Sequence, residues 1–513
     1  MDMSEEKKIV SGKGSHFQTA AEMRNFRFLK NIAFIVAFAI IFSGFNAAFA
    51  VKRVEEEEPV NPYGTPEVKI TSNSSDFGPI EQKSVTFLSG DRFVAVKGAF
   101  NSSSANRMRV TLDIPGEDGK VAYVKDGTLY SMPLSGELPD AMVFIDTPQA
   151  HVVLGPAVLY QPYGDGNLRD TGSGSSIIVK QTDGGYRICM DFDIISGMEA
   201  QVWWLISHNN LVSWDDSALA LWTRLDLNGI HRICYDGAYY ETPSTYTPYA
   251  EGMFYRNPAV YPAGVLIEES GDLAAELSFV LLDAAVRLQN DEGYWESCYQ
   301  SNWLYEDYGI LAGFYDTRFN NDVTVTLFAA SELFDDARFF EAAVRQCDWL
   351  LKFAGEHHYT VNHLEILPPE TDEFGNITQQ TVEITGILVQ DYFSPFGENL
   401  VHCALNHQLQ EIKALLLASE YTGEEKYMDM ARLMLNGISI TKDMWINPEV
   451  GLEYAYLADG SMGLTDYPYL TYNDLLDVQE LLERRGERSA ALDEMIAAKL
   501  THMLENGITG YQQ

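Results

Sequence analysis

Basic residues are scarce in this 513-residue chain: 35 Lys and Arg stand against 74 Asp and Glu, a formal net charge of -39. Such a surface repels nucleic acid and anionic membrane, which removes nucleic acid as a partner. It also repels a polyanionic ligand wherever basic residues do not gather locally. Cysteine is scarce too. Cys189, Cys234, Cys298, Cys347 and Cys403 sit far apart, with no CxxC or zinc-type spacing, so no metal site is expected and at most two disulfides. No phosphate-binding glycine loop, Gly-x-Ser-x-Gly turn or calcium loop occurs, which excludes nucleotide, lipase-like and calcium-sensor readings. Long apolar runs are absent after residue 50. The one before it, Ile32 to Phe42, follows Arg24, Arg27 and Lys30 and precedes Ala48-Phe49-Ala50, a small-x-small cleavage pattern. Residues 1–50 therefore read as an export signal. The alternative is an uncleaved anchor over Asn31–Ala50, about long enough to span a bilayer. Either form places the rest of the chain outside the cytoplasm, secreted or at the cell surface, and the anchor form adds membrane attachment.

The composition that is present supports ordinary cores: 46% hydrophobic residues and 12% aromatic, with 28 Tyr and 8 Trp. Residues 51–84, rich in Pro, Asn, Ser and Glu, read as a linker. From residue 85 to 240 short alternating runs such as Phe93–Val96, Met108–Leu112 and Ile177–Val179 are broken by Asp126-Gly127, Asp183-Gly184 and Asp236-Gly237, which are hairpin signals. This half is expected to be an antiparallel β-sandwich-like domain. Residues 241–270, dense in Pro and Tyr, read as a connecting strap. From 271 to 513 the period becomes helical: Leu273, Leu277, Val280, Leu281, Ala284 and Leu288 form one stripe, Leu405, Leu409, Ile412 and Leu416 another, and Leu475, Val478 and Leu482 a third. Ala337–Ala343 resembles Glu425–Ala431, and each opens the second helix of a pair. Stacked helical hairpins follow from that repeat, and about eight helices would curve into a complete or partial α/α toroid. A globular helical bundle is the alternative. The fold class expected is α+β multidomain.

Three loop-to-helix segments are unusually polar and aromatic. The first holds Trp303 and Tyr305, with the carboxyls Glu306 and Asp307 nearby, and leads to Arg318 and Asn320. A guanidinium grips a sugar carboxylate by two bonds, although Arg318 could equally pair with Asp322 one turn on. The second runs Asp391, Tyr392 and Glu398, then His402, Asn406 and His407 at the start of a helix. The two histidines are spaced i,i+5, which is not the i,i+4 pair of a zinc helix. The third carries Tyr454, then Tyr467, Tyr469, Tyr472 and Asn473. Tyrosine both stacks on sugar rings and, with a perturbed pKa, moves protons. The alternative is an aromatic rim around a core. His357-His358 ends another helix, where imidazoles complement the helix dipole.

These segments bring a family into view. From about Gly293 to Tyr511 the chain resembles the C-terminal domain of D-glucuronyl C5-epimerases, through Glu453-Tyr454, Asp466-Tyr467 with its aromatic surroundings, and Asn473-x-Leu475. The resemblance implies β-rich domains before an α/α-barrel domain, an N-terminal anchor or signal, a uronate-containing polysaccharide as substrate, and no redox cofactor. It carries Tyr454 and Tyr467 over as proton carriers. Leu457 stands where the family pattern places an arginine, so Arg318 would have to anchor the carboxylate. His402, Glu398 and Asn406 join as candidates for proton transfer or for stabilising the intermediate. Chain cleavage by a lyase or by a hydrolase with paired carboxyls among Glu306, Asp307, Asp391 and Glu398 uses the same groups. A non-catalytic extracellular glycan-binding protein needs only the aromatic surface.

Overall fold

The computed structural model describes residues 63–269, 271–371, 377–395 and 400–512. The signal segment, the first part of the linker and Glu398 lie outside the described residues. β-structure begins at Glu67. Glu67–Ser75 and Gly78–Thr86 pair as an antiparallel hairpin, so most of the span read as a linker is folded. Its edge strand is largely exposed and polar, which is why composition alone marks it as linker. The hairpin continues through Arg92–Ala99 and Glu199–Ser207 into a sheet of thirteen strands. A second antiparallel sheet holds Arg107–Pro115, Gly185–Asp193, Ser175–Thr182 and Gly136–Glu137.

Period-two alternation gives the large sheet two apolar faces. Val94, Val96, Val202 and Trp204 share a core with Leu112, Ile114, Ile188 and Met190 of the smaller sheet. Phe93, Ala95, Trp203 and Leu205 point the other way, into a core shared with the helices. The hairpin signals hold: Asp126 and Gly127 both take positive φ, 49° and 70°, the conformation that a tight two-residue turn between twisted strands requires. The five cysteines are all free thiols. The span read as a strap contains more than a connection, since Met253–Arg256 is a strand of the large sheet and Tyr261 opens the first helix of the helical half.

Among the described residues there are ten helices. In chain order they are α1 (Asp216–Leu225), α2 (Tyr261–Glu269), α3 (Asp272–Leu288), α4 (Asn302–Tyr308), α5 (Thr317–Leu333), α6 (Ala337–Glu356), α7 (Leu405–Thr422), α8 (Glu425–Trp445), α9 (Leu470–Arg484) and α10 (Ala490–Glu505). Eight of them form four hairpins, α2/α3, α5/α6, α7/α8 and α9/α10. The first members are successive neighbours in one row, and the second members are successive neighbours in another. The repeated segments open α6 and α8, the second members of adjacent hairpins. Helix α7 is buried along nearly its whole length, including Asn406, His407, Gln408, Gln410 and Glu411, because α5 and α9 flank it within its row and α6 and α8 pack behind it. Between α6 and α7 a ribbon, His358–Ile366 with Thr381–Val389, crosses α8 at Gly386 and Gly437. A Cβ on Gly437 would overlap the Ile387 carbonyl, so only glycine permits that approach. Among the described residues no helix is long and apolar enough to cross a membrane.

Candidate active site

Short strands gather the three loop-to-helix segments. Phe314–Asp316 pairs on one side with Glu296–Ser297 and on the other with Tyr392–Phe393, which sets Asp316 opposite Tyr392. Cys403–Ala404 pairs with Ala455–Tyr456, which brings the Tyr454 strand beside His402. The openings of α4 and α5, the 391–407 segment and the 454–474 segment therefore meet at one end of the helical rows.

At their meeting point His402 is buried among four rings: Trp303 and Tyr308 at 5.5 Å each, Tyr392 at 5.7 Å and Tyr454 at 6.1 Å. Its Nδ1 lies 2.9 Å from Tyr308 Oη, and its Nε2 lies 3.2 Å from Asp391 Oδ2. Asp391 is fixed in turn. Its Oδ1 accepts the Ala404 N–H at 2.8 Å, its N–H donates to His402 O at 3.0 Å, and its carbonyl accepts the Thr317 N–H at 3.0 Å. His407 sits on the far side of the same carboxylate, Nδ1 at 3.7 Å from Oδ2 and at 2.8 Å from Thr317 Oγ1. Burial pushes His407 down to about 4, against the pull of Asp391, so it is a neutral imidazole at pH 7. Burial also lifts the Tyr308 phenol to about 12.

Across the site, Tyr454 is buried and Tyr467 half-exposed, with ring centroids 5.8 Å apart. Burial raises both phenols, while Tyr454 and the Arg318 cation pull Tyr467 part of the way back. Asp316 lies close enough to raise both. It caps α5, its Oδ1 accepting the Phe319 N–H at 3.0 Å, and burial lifts its carboxyl to about 7 despite that bond. Trp303 and Tyr467, 39% and 47% exposed, face solvent and give the cluster its opening.

Several of the expected site residues have partners within the fold. The Arg318 fork is occupied: Nη1 and Nη2 meet Asp474 at 2.5 and 3.2 Å, Nε meets Asp322 at 3.0 Å, and Nη1 also donates to Asn406 O at 3.0 Å. Burial alone would weaken the guanidinium's hold on its proton, but the two carboxylates outweigh it and keep Arg318 cationic. Its charge is consumed inside the fold and does not stand ready for a substrate carboxylate. Asn320 is a structural bracket, exchanging hydrogen bonds with the Trp295 backbone at 2.8 and 3.0 Å. Tyr472 packs against Tyr511, and Asn473 accepts the Gln512 N–H at 3.1 Å, so both serve the C-terminal segment. Tyr469 leans on Gly510. Tyr305 is half-exposed beside Glu306 and Asp307, which are solvent carboxyls and not an enclosed pair. Asn406 is buried, its Oδ1 without a partner. His357 caps the C-terminus of α6 and His358 opens the ribbon, its Nδ1 2.7 Å from the Ala354 carbonyl oxygen. Sequence reasoning passed over Tyr308, Asp316 and Lys499. Asp316 reads as an ordinary helix cap, and no local signal marks the other two. Among the described residues no group of three His, Cys, Asp or Glu side chains could hold a metal ion.

The class defined by these elements is an α+β protein with hairpin-paired helices and a buried carboxyl–imidazole–phenol cluster at their ends. No family description matches the chain, and no curated protein sequence does. Among solved structures it is similar to a D-mannose isomerase, at 11% identity and a TM-score of 0.33 over 49% of this chain and 59% of that one. It is also similar to the cellobiose 2-epimerase of Spirochaeta thermophila DSM 6192, at 12% identity and 0.38 over 56% and 67%. A third is a family 76 glycoside hydrolase from a bovine Bacteroides thetaiotaomicron strain, at 11% identity and 0.34 over 86% and 78%. The chain spans about three fifths of the length of the mannose isomerase.

Proposed function

We propose that this chain is a carbohydrate-active enzyme that moves a proton at a carbon of a sugar, in the manner of an epimerase or isomerase. The observation that carries this reading is the line Tyr308–His402–Asp391. A phenol within hydrogen-bond reach of an imidazole, with a buried carboxyl oxygen 3.2 Å from the other ring nitrogen, is the arrangement that activates an oxygen base. His402 takes the Tyr308 proton as Tyr308 Oη takes the carbon-bound proton of the sugar. Tyr467, across the cluster, returns a proton to the opposite face. Trp303, Tyr454 and Tyr467 provide the aromatic walls on which a sugar ring stacks. Proton removal next to a carboxylate, the uronate C5 case, is the finer form of this proposal and needs a cation for the developing negative charge. With Arg318 committed to Asp474 and Asp322, a neutral reducing sugar in its ring-opened form, whose C1 carbonyl activates the C2 proton, suits the site better.

A second reading, cleavage of a glycosidic bond, draws on Asp316. A buried carboxylic acid that titrates near 7 is a suitable general acid at neutral pH. One experiment separates the readings. The purified chain is incubated in heavy water with neutral oligosaccharides and with uronate glycans. Carbon-bound deuterium in uncut chains supports proton transfer, and the position of the label distinguishes C2 from C5. New reducing ends support hydrolysis, and ultraviolet-absorbing ends support elimination. Binding without any of these outcomes would sink the enzymatic proposal in favour of a glycan-binding protein.

A further inference from the structure

Lys499 lies on α10, the last helix, and is 2% exposed. Its Nζ donates to Asp466 Oδ2 at 2.6 Å and to the backbone carbonyl of Tyr467 at 2.8 Å. The other oxygen of Asp466 accepts the Thr471 hydroxyl at 2.5 Å, and Thr471 is fully buried in the first turn of α9. Four groups from two helices and one loop thus close on a single corner. That corner carries Tyr467, whose ring is otherwise half-exposed and unconfined on its solvent side.

Energetics make this arrangement informative. Removing an ammonium and a carboxylate from water costs about as much as their attraction returns, so a buried pair of this kind adds little to stability. What it adds is geometry, because one charge is bonded to the backbone of the residue next to its partner. Asp466 in this account is a strut, and the Asp466-Tyr467 pair is one side chain that is held and one that is presented.

We propose that Lys499 is a positioning residue for the proton-transfer site, fixing the Asp466-Tyr467 corner so that the Tyr467 phenol stays against Tyr454. The proposal rests on the reading of Tyr467 as the second proton carrier. The last helical hairpin then belongs to the site through the bond from Lys499 of α10 to the Tyr467 backbone. A 1 Å displacement of a reacting group costs on the order of 10²-fold in rate, so loss of the strut lowers turnover without altering the walls that bind the sugar.

The test uses the full chain and three variants, with deuterium incorporation into whichever sugar the wild type labels as the readout. Lys499→Met, an apolar replacement of similar length, is expected to lower kcat by about 10- to 100-fold and to leave KM within about twofold. Lys499→Arg, which retains the charge and donors, is expected to recover part of the loss. Thr471→Val removes only the secondary bond to Asp466 and is expected to cost a few-fold in kcat, which keeps the proposal testable if Lys499→Met does not fold. Equal falls in all variants tracking loss of folded protein by circular dichroism, or full kcat in folded Lys499→Met and Thr471→Val, would overturn the positioning role. Tyr467→Phe, run alongside, separates the two ideas. If it abolishes exchange while Lys499→Met does not lower kcat, the site reading stands and the strut fails. If it has no effect, Tyr467 is not the carrier and the strut has nothing to position.

Discussion

Asp316 combines two duties that pull against each other: it caps α5, and it sits buried where a charge is costly. In an unfolded chain an aspartate titrates near about 4, whereas here burial lifts it to about 7. Between those values the folded chain holds the extra proton, so the contribution of Asp316 to stability declines as pH rises through that window. His407 has the opposite sign. It titrates at about 4 in the fold against about 6.5 unfolded, so its contribution grows as pH rises from 4 to 6.5. Asp316→Asn retains the cap and removes the charge. Its melting temperature should climb more steeply than the wild type between pH 4 and 6.5 and exceed it at pH 8, and an unchanged profile would contradict the burial account. Tyr308→Phe should lower sugar proton exchange by about 10²–10⁴-fold with the fold intact, as measured by deuterium incorporation and circular dichroism. At this scale the sequence was partly legible. His402, Asp391, Tyr454 and Tyr467 stand out as polar or aromatic residues at helix openings. Asp316 looks like any capping aspartate, and Tyr308 acquires meaning only through a histidine 94 positions away.

The elements that gather the site are the least visible ones. Helical periodicity and the Ala337/Glu425 repeat reveal the hairpins, because a 3.6-residue stripe persists for four or five turns. The pairings of Asp316 with Tyr392 and of Ala404 with Ala455 each depend on a strand of two residues, too short to show any alternation. Their partners lie far along the chain, so nothing local encodes them. The crossing of the ribbon over α8 is similarly non-local. Glycine within a helix ordinarily costs about 1 kcal/mol relative to alanine, so Gly437→Ala would be expected to stabilise an isolated helix. Here the added methyl meets the Ile387 carbonyl, and a loss of about 1–3 kcal/mol in urea unfolding is expected. A gain would show that the ribbon can shift away.

Over the whole molecule, the boundary between β-rich and helical halves is a change of periodicity and not a change of core. Phe93, Trp203, Phe279 and Leu281 belong to one apolar cluster, and the Phe87 and Phe279 rings lie 5.9 Å apart across the boundary. The described chain accordingly should unfold in one calorimetric transition. Phe279→Ala should cost about 3–5 kcal/mol and lower that transition as a unit, whereas two separated transitions would show independent halves. The sequence exposed the switch of period near residue 271, but it could not show that α3 is sandwiched, since a helix apolar on nearly every side reads the same in any core. The two cations nearest the tyrosines, Arg318 and Lys499, are spent on Asp474, Asp322 and Asp466 in a chain carrying -39 overall. A glycan without charge should therefore associate equally well in dilute buffer and in half-molar sodium chloride, while a glycan studded with uronates should bind only as added electrolyte mutes the repulsion.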